Sequence, residues 1–156
     1  MNIGIVVHSQ TGTTLRFGRV IAQHLQQAGH AVEMIELHAG EHIQPRAAEV
    51  AIANMPDPKR FDAMLFGGPV WAFAASPVIM ACIKKMDGIS GKKALPFATM
   101  GFPFRGMGGG RALAQMGKAL AEKGAAVLPG AVVPKMFRNT ARLMEEAAGR
   151  IPALFN

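Results

Sequence analysis

The chain has no tyrosine, one cysteine and one tryptophan, and its 10 acidic residues are outnumbered by 17 lysines and arginines. Each shortage excludes something. A single thiol, Cys82, rules out an internal disulfide and any CxxC metal or redox motif. Long apolar runs are missing too, none approaching the roughly 20 residues a membrane-spanning helix needs. The opening stretch "MNIGIVVHSQ" has neither a basic n-region nor a small-residue cleavage site, so the expectation is a cytoplasmic protein that does not engage a membrane. His24, His30, His38 and His42 have no metal-ligand spacing with carboxylates, and no Ser-His-Asp or Cys-His arrangement fits the element pattern. No metal site and no catalytic side chain is expected. The net charge of +7 is spread over pairs, Lys84-Lys85, Lys92-Lys93, and Arg138 with Arg142. Without a Lys/Arg block or an RNA-binding aromatic signature, no nucleic-acid partner is expected.

What is present is alternation. Half of the 156 residues are hydrophobic, enough for one domain spanning 1–156 with one sizeable core. "NIGIVVH" (2–8) reads as a strand, 14–29 as a helix of near-helical apolar spacing ended by Gly29, and 30–37 as a second strand. "PRAAEVAIAN" (45–54) reads as a short helix with proline at its start. "FDAMLFGGP" (61–69) is a third strand. Ser76-Pro77 opens the next helix, with serine as N-cap and proline at the first helical position. Residues 94–101 form a fourth strand despite Pro96, 109–124 a helix, 125–134 a fifth strand and 139–156 a last helix. Five strands alternating with five helices predict an α/β fold: a parallel sheet covered by helices on both faces.

Such sheets bind ligands outside the carboxyl ends of their strands. The loops there are "SQTGTT", "GGPVWAFAASP", "GFPFRGMGGG" and "PKMFRNT". They hold the one tryptophan, much of the phenylalanine and a glycine cluster, which points to a flat, apolar ligand at that rim. In the first loop, unpaired N–H groups at a helix N-terminus, the hydroxyls of Ser9, Thr11, Thr13 and Thr14, and Gly12 provide the donors a phosphate monoester needs. A simple helix cap uses the same residues. The spacing is neither GxGxxG nor GxxxxGK[ST]. His8, beside this loop, reads as a satisfied strand-end histidine, and Cys82 as a small core residue.

Ser9-Gln10-Thr11-Gly12-Thr13-Thr14, directly after the first strand, resembles the FMN-phosphate loop of flavodoxins and flavodoxin-like proteins, Ser/Thr-x-Thr-Gly-x-Thr. "GGPVWAF" after the third strand and "TMGFPFRGMGGGRAL" after the fourth are similar to the family's two isoalloxazine loops. The resemblance covers essentially the whole chain. It implies a three-layer flavodoxin-like fold, a five-stranded parallel sheet in order 2-1-3-4-5, and one non-covalent FMN. The phosphate would lie on residues 9–14. The ring would lie between Pro69, Val70, Trp71, Ala72 and Phe73 on one side and Thr99, Met100, Gly101, Phe102, Phe104, Arg105, Gly106 and Gly109 on the other. Aromatic contact by Trp71 would contribute roughly 0.5–1.5 kcal/mol beyond burial.

Three departures bear on function. Many flavodoxins have glycine after the loop aromatic, where a peptide turns to accept a hydrogen bond from the one-electron-reduced flavin. Here it is Ala72, for which a positive φ costs about 1–2 kcal/mol. No tyrosine exists to stack on the outer ring face, leaving Met100, Phe102 and Phe104. Electron-carrier flavodoxins are typically acidic around the flavin, whereas this rim carries Arg105, Arg111, Lys135 and Arg138. The resemblance thus implies a redox protein passing electrons through FMN, with a redox partner protein or NAD(P)H as its counterpart. An FMN-dependent NAD(P)H:quinone-type reductase and a flavin-poor interaction module are the alternatives. The oligomeric state stays open.

Overall fold

In the computed structural model, which describes residues 1–40, 43–45, 47–101, 108–135 and 139–156, the apolar runs become the middle of a sheet. β1 (Asn2–Val7) is buried from Ile3 onward. It pairs in parallel with β2 (Ala31–Glu36) on one side and β3 (Ala63–Trp71) on the other. β3 pairs in parallel with β5 (Lys93–Met100). Beyond β5 lie β6 (Ala126–Val127) and then β7 (Ala131–Pro134), both parallel to it. Two-residue β4 (Ala74–Ala75) folds back antiparallel on the end of β3. The sheet order is β2-β1-β3-β5-β6.

Helices α1 (Thr13–Gln27) and α4 (Thr140–Gly149) cover one face, and α2 (Pro77–Lys85) and α3 (Gly109–Glu122) the other. The period-two alternation of strand side chains sorts the core between these faces. Ile3, Ile5, Leu65, Leu95 and Phe97 pack with α1 and α4. Val6, Met64, Phe66, Ala94 and Ala98 pack with α2 and α3. Cys82 is fully buried there, and burial pushes its thiol up to about 12, so it behaves as a small apolar residue. No helix among the described residues is long and apolar enough to cross a membrane.

The expected strand order holds by position, with three corrections to the elements. The fifth strand is split, and Pro96 explains where. Ala126 N–H donates to Lys92 O and Leu128 N–H to Ala94 O, both at 2.8 Å. Alternate residues 92, 94 and 96 therefore face the edge strand, and the next donor in that ladder would be residue 96. Proline has no N–H to give. The chain leaves the sheet at 128–130 and rejoins it as β7. At Gly130 an added Cβ would stand 2.5 Å from the Pro96 carbonyl.

The helix expected over 45–54 is absent among the described residues. Asn54 stitches the segment into a loop instead. Its Oδ1 accepts from His38 N–H at 2.6 Å and its amide donates to Glu36 O at 2.8 Å. Ala39 and Ile52 form an antiparallel bridge, and Lys85 Nζ donates to Val50 O. The last helix is also shorter than expected. It ends at Gly149, and Pro152–Phe155 continues as a 3-10 turn.

Candidate functional site

The carboxyl ends of β1, β3, β5 and β7 bring the first two sequence motifs and part of the third to one rim. Gly12 stands at the N-terminus of α1 with φ 90°, and no side chain caps this helix at that position. The left-handed turn is a glycine conformation. Ser9 closes the loop from below, its Oγ accepting from Gly12 N–H at 3.1 Å and Leu15 N–H at 3.3 Å. Thr11 and Thr13 lie 3.5 Å apart, hydroxyl to hydroxyl, on the exposed side. Thr14 differs from the other three. It is 2 % exposed and its hydroxyl pairs with Thr99 at 2.6 Å, tying the first loop to the end of β5. Its hydroxyl faces inward, while the helix N-terminus keeps unpaired backbone donors.

Trp71 and Ala74 close a two-residue hairpin between β3 and β4. Such a turn matches strand twist when both central residues have positive φ. Ala72 (φ 49°) and Phe73 (φ 62°) both do. The methyl of Ala72 therefore does not keep this position out of the left-handed region, because the hairpin demands it. The main chain of Phe73 is also packed against the third loop. A Cβ on Gly108 (φ 110°) would be 2.7 Å from Phe73 Cα.

His8 supports Trp71. The rings meet edge-on, with centroids 5.1 Å apart and planes at 85°. Ser76 Oγ accepts from Val78 and Ile79 N–H as the N-cap of α2. Its one proton is left for His8 Nδ1 at 2.5 Å, which makes Nε2 the protonated ring nitrogen. Burial pushes the imidazole down from 6.5 to about 4, so it is neutral near pH 7.

Gln10, Thr11, Thr13, Trp71, Thr99 and Lys135 are among the residues around a cleft of about 170 Å³, floored by Pro69, Val70, Met100 and Gly101. A second cavity of about 330 Å³ shares Gln10, Val70 and Trp71 with it, and reaches Ala72, Ile43 and Pro45. Of the candidates singled out in sequence, Phe102, Phe104, Arg105 and Gly106 lie outside the described residues, as does Arg138. Gly109 is buried behind the cleft, where an added Cβ would come within 2.9 Å of Met100 Sδ. Sequence reasoning passed over Gly108 and the His8–Ser76 pair. The glycine run before α3 carried a signal for the first. Nothing local carried one for the second, whose partners are 68 residues apart. No group of three His, Cys, Asp or Glu residues suited to a metal ion occurs among the described residues.

The donor set fits a phosphate-bearing aromatic ligand. Thr11, Thr13, Trp71, Met100 and Lys135 lie around one cleft, with the N-terminus of α1 beside it.

No protein-family model matches the chain, and no curated protein matches it in sequence. Solved structures do. Oxidised flavodoxin 2 from Bacillus cereus superposes with a TM-score of 0.71 at 18% identity, covering 99% of this chain and 97% of that one. A flavodoxin from Streptococcus pneumoniae TIGR4 gives 0.68 at 14% identity and 99% of both chains. The two-electron reduced flavodoxin of Megasphaera elsdenii gives 0.63 at 23% identity, over 95% and 98%. The chain has the flavodoxin-like fold.

Proposed function

We propose that the chain binds FMN non-covalently and passes electrons through it. The observation that carries this reading is the convergence of Thr11 and Thr13, at the start of α1 where Ser9 takes the N–H groups of Gly12 and Leu15 and leaves those of Thr13 and Thr14, with Trp71 and Met100 around one cleft. FMN, when bound, supplies the redox chemistry, taking up and releasing electrons on its ring. The protein's part is placement. The hydroxyls of Thr11 and Thr13 and the first N–H groups of α1 hold the phosphate, favoured by the helix dipole. The Trp71 indole, held edge-on against His8, would contact the ring. Val70 and Met100 line the same cleft and would add apolar surface to the ring's site. Lys135 adds a positive charge at the edge, which favours an anionic form of the ligand.

The test uses Trp71 as reporter, since the chain has one tryptophan and no tyrosine. FMN is expected to quench its emission in a saturable titration. Thr11→Ala is expected to weaken binding by about tenfold or more, the loss of one good hydrogen bond to a charged group, and Gly12→Val by a similar factor, because a β-branched residue does not hold φ 90° and the loop must shift. Parental affinity in both variants would overturn the phosphate assignment.

Lys135 at the cleft also favours a second reading, an FMN-dependent reductase fed by NAD(P)H. Anaerobic addition of NADPH to the FMN-loaded protein separates the two. Rapid bleaching of the visible spectrum without a helper reductase identifies the enzyme. A stable yellow solution identifies the carrier.

A further inference from the structure

We propose that the rim around Phe73 docks an acidic electron-transfer protein, with Phe73 at the centre of the contact, Arg111 and Lys135 around it, and Lys84 further down the α2–α3 groove. This rests on the redox reading above.

Charge is partitioned along the strands. The loops that follow β1, β3, β5 and β7 contain no aspartate or glutamate. Asp57, Asp62, Asp87 and Glu122 all lie in or beside the turns at the opposite end. At the carboxyl end the described acidic residues are Glu36 and Glu49, both on the β2 flank. The α2–α3 flank is cationic. A groove of about 280 Å³ runs there beside Ala74 and Ala75, with Lys84 and Arg111 on its walls. Neither side chain forms an ion pair among the described residues, and nor does Lys135. Gln115 is held in the groove by accepting from Ala75 N–H at 2.8 Å. Its amide N–H groups remain as donors for a partner's carboxylate.

Phe73 makes this a docking face as well as a positive field. Its side chain is 51% exposed, although the turn that presents it holds an aromatic residue in the left-handed region. Keeping an apolar ring outside the core at a backbone cost is the arrangement of a contact anchor. An aromatic centre with a charged periphery is the anatomy of a protein interface. A nucleotide phosphate would need its cations converging in one pocket. Here Lys135 lines the flavin cleft while Arg111 and Lys84 line a different groove, with the Trp71–Ala74 turn between the two.

The full FMN-loaded chain is titrated calorimetrically with an acidic [2Fe–2S] ferredoxin as probe. Binding is expected at low salt, weakening several-fold as ionic strength rises from about 0.02 to about 0.2 M. The double variant Lys84→Glu/Arg111→Glu should weaken it by about tenfold or more. Lys59→Glu, the same type of charge reversal at the other end of the molecule, should change it less than about twofold. Phe73→Ser should weaken binding without altering its salt dependence. No binding, or an equal loss in Lys59→Glu, overturns the proposal. So does NADPH binding that is lost in the double variant while the ferredoxin fails to bind. The same titration with the flavin-free chain reads docking independently of FMN, so failure of the flavin assignment is seen separately.

Discussion

The two ends of the sheet solve opposite problems. At the amino ends of the strands, most of the described polar groups are matched, with His30 Nε2 the buried exception. Arg60 pairs with Glu33 at 2.7 Å, Asn2 N–H donates to Asp62 at 2.7 Å, and Asp57 caps a 3-10 turn through Lys59 N–H at 3.0 Å. Lys92 Nζ donates to the carbonyls of Pro58 at 2.5 Å and Phe61 at 2.7 Å, and Lys93 Nζ to that of Leu154 at 3.1 Å. At the carboxyl ends, the glycines that open α1 and α3 supply no side-chain cap, two non-glycine residues sit at positive φ, and Arg111 and Lys135 form no ion pair among the described residues. One end is closed by its own groups. The other keeps donors, charge and strain in reserve for something else, as functional sites commonly do.

The largest effect expected from breaking this contrast is at the closed end. Lys92→Met takes a charged donor from two carbonyls and should destabilise the fold by about 2–3 kcal/mol. Urea unfolding reads it. FMN affinity should stay within about twofold, because the residue lies at the far end from the cleft. A comparable loss of FMN affinity would show that the two ends are coupled.

Next is Ser76, a fully buried side-chain cap at the open end. Ser76→Ala removes the acceptor for Val78 and Ile79 N–H and should cost about 1–2 kcal/mol. It also strips His8 Nδ1 of its proton donor, so Trp71 loses its support and FMN binding should weaken with stability. The same pair sets a pH dependence. His8 is held neutral in the folded state, with its value lowered to about 4 from 6.5 by burial. As pH falls below 6.5 the unfolded chain takes up this proton first. Its contribution to stability is therefore full above about 6.5, declines as pH falls toward about 4, and is flat below. Unfolding midpoints across that window should fall less steeply in His8→Asn. An unchanged slope would place the titration elsewhere.

Much of this was legible in the sequence, because the strongest signals are local. Apolar runs such as "IGIVV" name buried strands, and Ser76-Pro77 names a helix start that the structure keeps. The Ser9–Thr14 loop could be placed at a strand end before any geometry was known. What failed depends on distant partners. Residues 45–54 have helix-like composition, yet Asn54 competes for the backbone of residues 36 and 38. Pro96 was tolerated as a strand residue, but its missing N–H shows only in the neighbouring strand. Thr14 was grouped with the phosphate hydroxyls until Thr99, 85 residues away, claimed its side chain.

The smallest effect tests the strain itself. At the closed end the left-handed positions Gly88, Gly91 and Gly124 are glycines, whereas the Trp71–Ala74 hairpin places Ala72 and Phe73 at φ 49° and 62°. A left-handed alanine costs about 1 kcal/mol or more, and glycine removes that cost while giving back part of it as chain entropy in the unfolded state. Ala72→Gly should therefore stabilise the protein by about 0.5 kcal/mol, seen as a higher urea midpoint at unchanged slope. Gly91→Ala is the mirror experiment. Its φ is 79° and an added Cβ would meet nothing within 4 Å, so backbone strain alone should destabilise by about 1 kcal/mol. Shifts of opposite sign would locate the stored strain at the carboxyl end of the sheet. If Ala72→Gly also destabilises, the alanine methyl is making contacts worth more than its backbone cost, and the turn is held by packing.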